Sequence, residues 1–347
     1  MRIRFLLPLL LLSALAAPAL AQTPSESAPT EAELQRAQQR AEAWQAYGLR
    51  VASVLGRSDG ARDLALAALL EAMAQPYDPG RRVADGVDAD RWRSDAGARG
   101  AGDTISQQLL LAAGTVAGEQ AAASAAARRW QALSPGNLAP LLHQGLGPEA
   151  VLSAAAQSTR NAPEPYPMLR WVADTLARHP PTRAEWAAFG EGAQPSPAAH
   201  AAVWASSLHG VLLPDYREVL AACTGRQLRA TGRADACRHM ADLLLARPQT
   251  VLDERIGLSM ARALTRSAAE RAPLDARRRG VDWRQEQLAE LAGRDEAGSG
   301  DAELLVRLLA DPAIDTEDAL VRRTLAEARL AQEPPAGWRA PWQQPRR

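Results

Sequence analysis

Apolar residues recur along most of the chain at alternating spacings of three and four, which is the pattern of an amphipathic helix. The first such stripe comprises Leu34, Ala37, Ala41, Trp44, Gly48, Val51 and Leu55. No stretch of four or more residues alternates apolar and polar positions with the β-branched enrichment typical of strands. The pattern therefore predicts an all-α fold of about a dozen or more helices, arranged as antiparallel hairpins.

Capping residues indicate where many of these helices begin and end. Thr30 with Glu33, Thr182 with Glu185, and Thr250 with Asp253 each place an acid three residues after a threonine, as in a capping box. Further starts are expected at Asp103, at Ser196 before Pro197, at Asp301, and at Asp315 or Thr316. Glycine and proline mark the ends, for instance at Gly56, Pro76 and Pro248.

The stretch from residue 121 to residue 160 contains a helix end, a turn at residues 134–137, a short apolar helix and a further helix. Pro135, Asn137, Leu141 and Gly145 stand at the relative positions of the proline, the asparagine, the first large residue and the small residue of a tetratricopeptide repeat boundary. This stretch therefore resembles a tetratricopeptide-type repeat, although Gln157 and Asn161 hold its later alanine and aromatic positions and no strict period of about 34 residues follows. The resemblance implies an irregular helical-hairpin (tetratricopeptide-like) solenoid or superhelix, similar to exported helical-repeat proteins of bacteria.

The first 21 residues have the features of a signal peptide. Arg2 and Arg4 give a basic start, residues 5–17 are apolar, and Ala19 and Ala21 form a small-x-small cleavage site. A membrane anchor is the alternative, but it needs about 20 apolar residues, and this run is shorter. We expect cleavage after Ala21 and a periplasmic or secreted protein with no integral membrane span.

Composition divides the remainder into four parts. Residues 22–29 form a polar lead that is expected to be disordered, and residues 30–190 form an N-terminal helical-repeat region. The C-terminal helical-repeat region comprises residues 191–331. A hinge is expected at residues 190–195, where the two regions meet. The proline- and tryptophan-rich tail, residues 332–347, is expected to pack over the last helices.

Cys223 and Cys237 are the only two cysteines of the chain. An even number of cysteines in an exported chain indicates a disulfide, here between two consecutive helices. The alternative is a metal site formed with His239, but zinc needs four ligands, or three and a water, and no fourth ligand has suitable spacing. The sequence therefore favours the Cys223–Cys237 disulfide, with no metal and no cofactor.

Residues 77–103 are rich in glycine and aspartate and are expected to form a solvated loop with, at most, a short helix around Trp92. Their Asp-x-x-Asp-x-Asp run suggests a calcium loop as an alternative. However, Arg91 and Arg93 follow where an EF-hand continues with Asp or Asn and Gly, and Arg99 stands where its closing Glu would be. The loop interpretation is therefore preferred.

The basic and acidic residues balance at 40 each, and every basic residue is an arginine. Loss of Arg2 and Arg4 with the signal peptide would leave a net charge of about −2, which argues against a nucleic-acid-binding protein. Without lysine, a Walker A loop, a Ser-x-x-Lys dyad and a lysine Schiff base are impossible. His-Glu-x-x-His, Gly-x-Ser-x-Gly and Gly-x-Gly-x-x-Gly motifs are also missing from the sequence.

Histidines and tryptophans are the remaining candidates for chemistry. His200 and His209 lie nine residues apart, half a turn out of phase on one expected helix, so they cannot share a metal and are expected at the surface or its boundary. The other histidines are His143, His179 and His239. Five tryptophans fall on expected helices beside alanine and are interpreted as packing residues rather than ligand-stacking ones: Trp44, Trp130, Trp171, Trp186 and Trp204.

Two functions are compatible with these features. The preferred hypothesis is a protein- or peptide-binding scaffold of the cell envelope that is not an enzyme. The alternative is a murein-acting or peptidase-like envelope enzyme, or its helical accessory domain, which would need two carboxylates converging on a cleft.

Overall fold

The computed structural model describes residues 30–75, 89–189, 195–230, 232–294 and 299–340. Within these ranges the regular structure consists of fifteen α-helices and three 3₁₀ segments, without a strand, so the all-α prediction is confirmed. The 3₁₀ segments are Ala139–His143, Gly210–Leu212 and Gly225–Arg229. The α-helices are α1 (Glu31–Leu55), α2 (Ala61–Ala74), α3 (Ala89–Arg99), α4 (Thr104–Val116), α5 (Gln120–Leu133), α6 (Pro148–Ala155), α7 (Pro165–Ala177), α8 (Arg183–Phe189), α9 (Pro197–Ser207), α10 (Arg217–Ala222), α11 (Arg233–Ala246), α12 (Val251–Leu264), α13 (Ala268–Arg294), α14 (Ser299–Ala310) and α15 (Glu317–Glu327).

The described residues form two units that alternate along the chain. The first unit contains residues 30–133 and 168–212, and the second contains residues 134–167 and 213–340. The sequence was expected to divide between residues 190 and 191 into two continuous regions, whereas each observed unit combines two separate segments. Residues 190–194 of the expected hinge lie outside the described residues. So do the expected signal peptide, residues 1–21, and the expected polar lead, residues 22–29.

Helix α2 lies at the centre of the first unit. Its residues Leu64 to Leu70 are all buried, in agreement with a sequence that is apolar on every side. A helix without a polar face must be covered all round, and α1, α3 and α4 pack against α2. Helix α5 in turn packs on α4.

Helix α3 lies in the segment that was expected to form a loop with, at most, a short helix around Trp92. Trp92 is 9% exposed and Ala96 is fully buried, so an apolar pair four residues apart secures this helix. Gly56 makes room for Trp92, because a Cβ atom at Gly56 would lie 2.2 Å from the indole ring. Residues 89–99 therefore form the short helix around Trp92 that the sequence allowed within this segment. The remainder of the Asp-x-x-Asp-x-Asp run, Asp85 and Asp88, lies outside the described residues.

The core of the second unit forms around the disulfide. The sulfur atoms of Cys223 and Cys237 are bonded at 2.04 Å, which matches the pairing expected from the sequence. Cys223 follows the last residue of α10 and Cys237 lies in α11, so the bond joins consecutive helices. Both cysteines are fully buried, together with Leu138, Met240, Leu244 and further apolar residues.

Asn137 fixes the turn between α5 and the following 3₁₀ segment. Its amide nitrogen donates to the carbonyl of Ala162 at 2.8 Å, and its amide oxygen accepts from the N–H of Ala162 at 2.9 Å and from that of Ala139 at 3.2 Å. The residue is 1% exposed. The asparagine of the tetratricopeptide-like motif therefore clamps two backbone segments 25 residues apart.

Most expected caps are present. The three threonine capping boxes form, and Asp103, Ser196 and Thr316 each accept a hydrogen bond from a backbone N–H three residues on. Asp301 does not begin its helix, since α14 starts at Ser299. Among the described residues no helix is both long enough and apolar enough to cross a membrane.

Candidate functional site

A cleft of about 1050 Å³ in the second unit is the candidate site. It lies between α12, α13 and the tail residues Pro334–Ala340. Its volume is slightly above the range of about 300–1,000 Å³ that is typical of small-molecule and cofactor pockets. The cleft can therefore accept a ligand larger than a single ion.

The floor of the cleft is one stripe of α13. Arg271, Leu274, Asp275, Arg278 and Asp282 follow one another at spacings of three, one, three and four, which places them on one side of the helix. The helix begins at Ala268 because Ser267 and Glu270 exchange hydrogen bonds in a capping arrangement. It continues through Pro273 to Arg294.

Two carboxylates in the cleft are already paired. Asp282 is 4% exposed and accepts hydrogen bonds from Arg255 Nη2 at 2.8 Å and from Arg278 Nε at 2.9 Å. Asp275 pairs with Arg262, whose Nε lies 2.9 Å from its carboxylate oxygen. Because a buried carboxylate is stable only when its charge is compensated, Asp282 serves to hold α12 and α13 together.

The lining carries an excess of positive charge. Five arginines and two aspartates line the cleft, which leaves a surplus of three positive charges. Arg271 and Arg279 are exposed and form no ion pair with any described residue. Their guanidinium groups are therefore available to an anionic partner.

The tail residues Pro334–Ala340 form the remaining wall of the cleft. The indole of Trp338 contacts that of Trp283 edge to face at 5.4 Å, and its Nε1 donates to Glu286 at 2.9 Å. Trp283 Nε1 donates to the carbonyl of Ala331, also at 2.9 Å. Two indoles, each with an apolar ring and one donor, thus fix the proline-rich tail segment on α13. Trp342 lies outside the described residues.

The expected metal alternative is not assembled among the described residues, which contain no group of three His, Cys, Asp or Glu side chains that could hold a metal. His239 Nε2 lies 3.0 Å from the carbonyl oxygen of Ser158. His143 lies half-buried in the first 3₁₀ segment of the second unit.

His200 is buried in an aromatic cluster of the first unit, which we define as Trp44, Tyr47, Trp186, Phe189 and His200. The imidazole stacks on the indole of Trp44 at 5.0 Å and is nearly parallel to the ring of Phe189. Tyr47 and Trp186 present their edges to it. Burial lowers the pKa of His200 to about 4, and the nearby Glu185 only partly opposes this shift.

The surface positions expected for His200 and His209 are therefore wrong, since the two residues are 4% and 6% exposed. Helix α9 ends at Ser207, so His209 also lies beyond it. His179 is half-buried, and its carbonyl oxygen accepts a hydrogen bond from the hydroxyl of Tyr47 at 3.2 Å. Helical periodicity missed this burial because it reports one helix at a time and not the neighbours that cover it.

All five tryptophans expected on helices lie on helices: Trp44 on α1, Trp130 on α5, Trp171 on α7, Trp186 on α8 and Trp204 on α9. Trp130 is buried, whereas the other four are half-buried. Trp44 and Trp186 contact other rings of the aromatic cluster, which agrees with their interpretation as packing residues.

Buried acids elsewhere in the second unit are used to hold helix ends. Asp253 accepts a hydrogen bond from the hydroxyl of Tyr216 at 2.6 Å, and Glu317 accepts one from the backbone N–H of Val251 at 2.7 Å. Burial raises the pKa of Asp253, and the charge of Glu317 raises it further. Neither acid lines the cleft.

Comparison of the chain with protein-family models, with curated proteins and with solved structures gives no match. The arginine cleft contains no recognisable sequence motif. The sequence does place Arg271, Asp275, Arg278 and Asp282 at helical spacing, which indicates a charged face of one helix. That spacing does not indicate the wall that the tail contributes to the cleft.

Proposed function

We propose that the chain is an exported binding protein of the cell envelope, and that it holds a peptide segment of a partner protein in the cleft of the second unit. The observation that carries this proposal is the cleft itself, about 1050 Å³ in volume and walled on one side by the tail residues Pro334–Ala340. A groove of this kind offers contact area to a peptide, with side chains available for both apolar and charged groups. The protein is proposed to bind without chemistry of its own.

The disulfide supports the proposed export. Disulfides persist in oxidising compartments such as the periplasm, and Cys223 and Cys237 are bonded here. We propose that the signal peptide is removed after Ala21 and that the helices form an irregular hairpin solenoid. Packing between consecutive helices, such as α4 on α5 and α11 on α12, supports the hairpins. N-terminal sequencing of the exported protein should begin at Gln22, and a start at Met1 would contradict cleavage.

The arrangement of acids favours binding over the alternative of an envelope enzyme. Hydrolysis by a carboxylate pair needs one acid to donate a proton and a second to act from the opposite side. Asp282 is the one fully buried carboxylate of the lining, and two guanidinium groups already compensate its charge. If the purified protein cleaved murein or peptides and Asp282→Asn abolished that activity without unfolding the chain, the enzyme alternative would replace our proposal.

Peptide selection tests the proposed site directly. A displayed library of random peptides is selected on the chain that lacks residues 1–21, and the affinity of the selected peptides is measured by fluorescence anisotropy. Ala263→Trp places a large ring in the lining of the cleft and should abolish binding. The matched control is Ala121→Trp, at an exposed helical alanine of the first unit, which should leave binding unchanged. Equal binding to both variants would place the site elsewhere, and failure to select any peptide would contradict peptide binding.

A further inference from the structure

We infer that the ligand of the cleft is an acidic peptide segment in an extended conformation, whose carboxylates pair with Arg271 and Arg279. This inference rests on the proposed function and specifies the ligand class. Arg262 is paired with Asp275, and Arg278 shares the carboxylate of Asp282 with Arg255, so Arg262 and Arg278 have less attraction left for a ligand. Arg271 and Arg279 have no such carboxylate. The positive charge and the planar, forked shape of each guanidinium group favour bidentate pairing with a carboxylate of the ligand.

The spacing of the two arginines sets the spacing of the ligand's charges. Arg271 and Arg279 lie eight residues apart on α13, which separates them by about 12 Å along the helix axis. An extended peptide rises about 3.3 Å per residue. Two acidic residues of the ligand should therefore be separated by three or four positions.

Apolar residues between the charges favour a peptide over a phosphate polyanion. Leu258, Leu274 and Trp338 line the same cleft, and Pro334 and Pro335 form part of its wall. Aliphatic side chains of a peptide can cover these surfaces, whereas a chain of phosphates leaves them unpaired with any apolar group. The whole chain is also electrically balanced, with 40 basic and 40 acidic residues, so it lacks the broad positive field that attracts nucleic acids.

Three probes distinguish the ligand classes on the chain that lacks residues 1–21. The first is a fluorescent peptide, blocked at both ends, with two glutamates four positions apart among valines and threonines. The second replaces both glutamates with glutamine, and the third is a short oligothymidylate. We expect the glutamate peptide to bind about tenfold more tightly than the glutamine peptide and to lose this advantage as salt is added.

The double variant Arg271→Gln/Arg279→Gln should reduce the affinity for the glutamate peptide about tenfold and leave that for the glutamine peptide unchanged. The control Arg226→Gln/Arg229→Gln removes two exposed arginines outside the cleft and should change neither affinity. Since all four arginines are exposed, both double variants should fold, which circular dichroism verifies.

Each other outcome has a defined meaning. If both peptides bind equally and Ala263→Trp weakens both, peptide binding in the cleft stands but the acidic ligand is wrong. If oligothymidylate binds more tightly than the glutamate peptide and depends on Arg271 and Arg279, the ligand is a phosphate polyanion and the inference is overturned. If neither peptide binds, the acidic-peptide inference fails, whereas the proposed function is decided separately by the selection of random peptides.

Discussion

His200 should make the folded chain less stable as the pH falls below the ordinary histidine value. Burial against Trp44 and Phe189 lowers its pKa from 6.5 to about 4, so the unfolded chain binds the proton more readily than the folded one does. Between these two values the unfolded state carries more protons, and the free energy of unfolding therefore rises with pH. The contribution of neutral His200 is complete above about pH 7 and is lost progressively toward pH 4.

The size of the effect follows from the shift. One pKa unit corresponds to about 1.4 kcal/mol, so lowering the pH from about 7.5 to about 5 should cost about 2 kcal/mol through His200 alone. The substitution His200→Phe keeps a flat ring in the aromatic cluster and removes the titrating group. Its free energy of unfolding should consequently fall about 2 kcal/mol less than that of the wild type over the same pH interval.

Urea denaturation followed by far-ultraviolet circular dichroism at the two pH values measures this difference. Other titrating groups are common to both proteins, so the comparison isolates His200. Val51→Ala on α1 is the control, because it creates a cavity at a fully buried position without removing a titrating group. It should destabilise the protein by a similar amount at both pH values. Equal pH dependence in the wild type and His200→Phe would refute the assignment of a buried neutral imidazole.

Three further substitutions test the packing of each unit by urea denaturation. Replacing both Cys223 and Cys237 with serine should lower the free energy of unfolding by about 3 kcal/mol, because the disulfide closes a loop of 14 residues. Free thiols in the unreduced wild type would contradict the disulfide. Gly56→Ala should lower the free energy of unfolding by about 1–3 kcal/mol through its clash with Trp92, whereas the control Gly102→Ala, with no atom within 4 Å of the added Cβ, should be nearly neutral. Equal losses of stability in the two variants would contradict the close contact. Asn137→Ala should cost about 2–4 kcal/mol, since it leaves the N–H and carbonyl groups of Ala162 without their partner, and a loss below about 0.5 kcal/mol would show that water replaces the clamp.

The sequence by itself determined those features that depend on neighbours along the chain. Thr30, Thr182 and Thr250 cap helices because the side chain of each reaches a backbone N–H three residues on, and this geometry needs no tertiary contact. The spacing of apolar residues determined the helical class for the same reason. The disulfide between Cys223 and Cys237 could also be expected, because the chain has only these two cysteines.

Tertiary structure decided what depends on residues distant in the sequence. His200 is buried because α1 and α8 bring Trp44 and Phe189 against it, and a stripe on α9 cannot report that cover. Trp92 turns a glycine-rich segment into a packed helix only because Gly56, 36 positions earlier, leaves space for its ring. The arginine cleft likewise needs Trp338 of the tail, 55 residues from Trp283, to close its wall. Burial and pocket shape are properties of several segments at once, and only their packing brings those segments together.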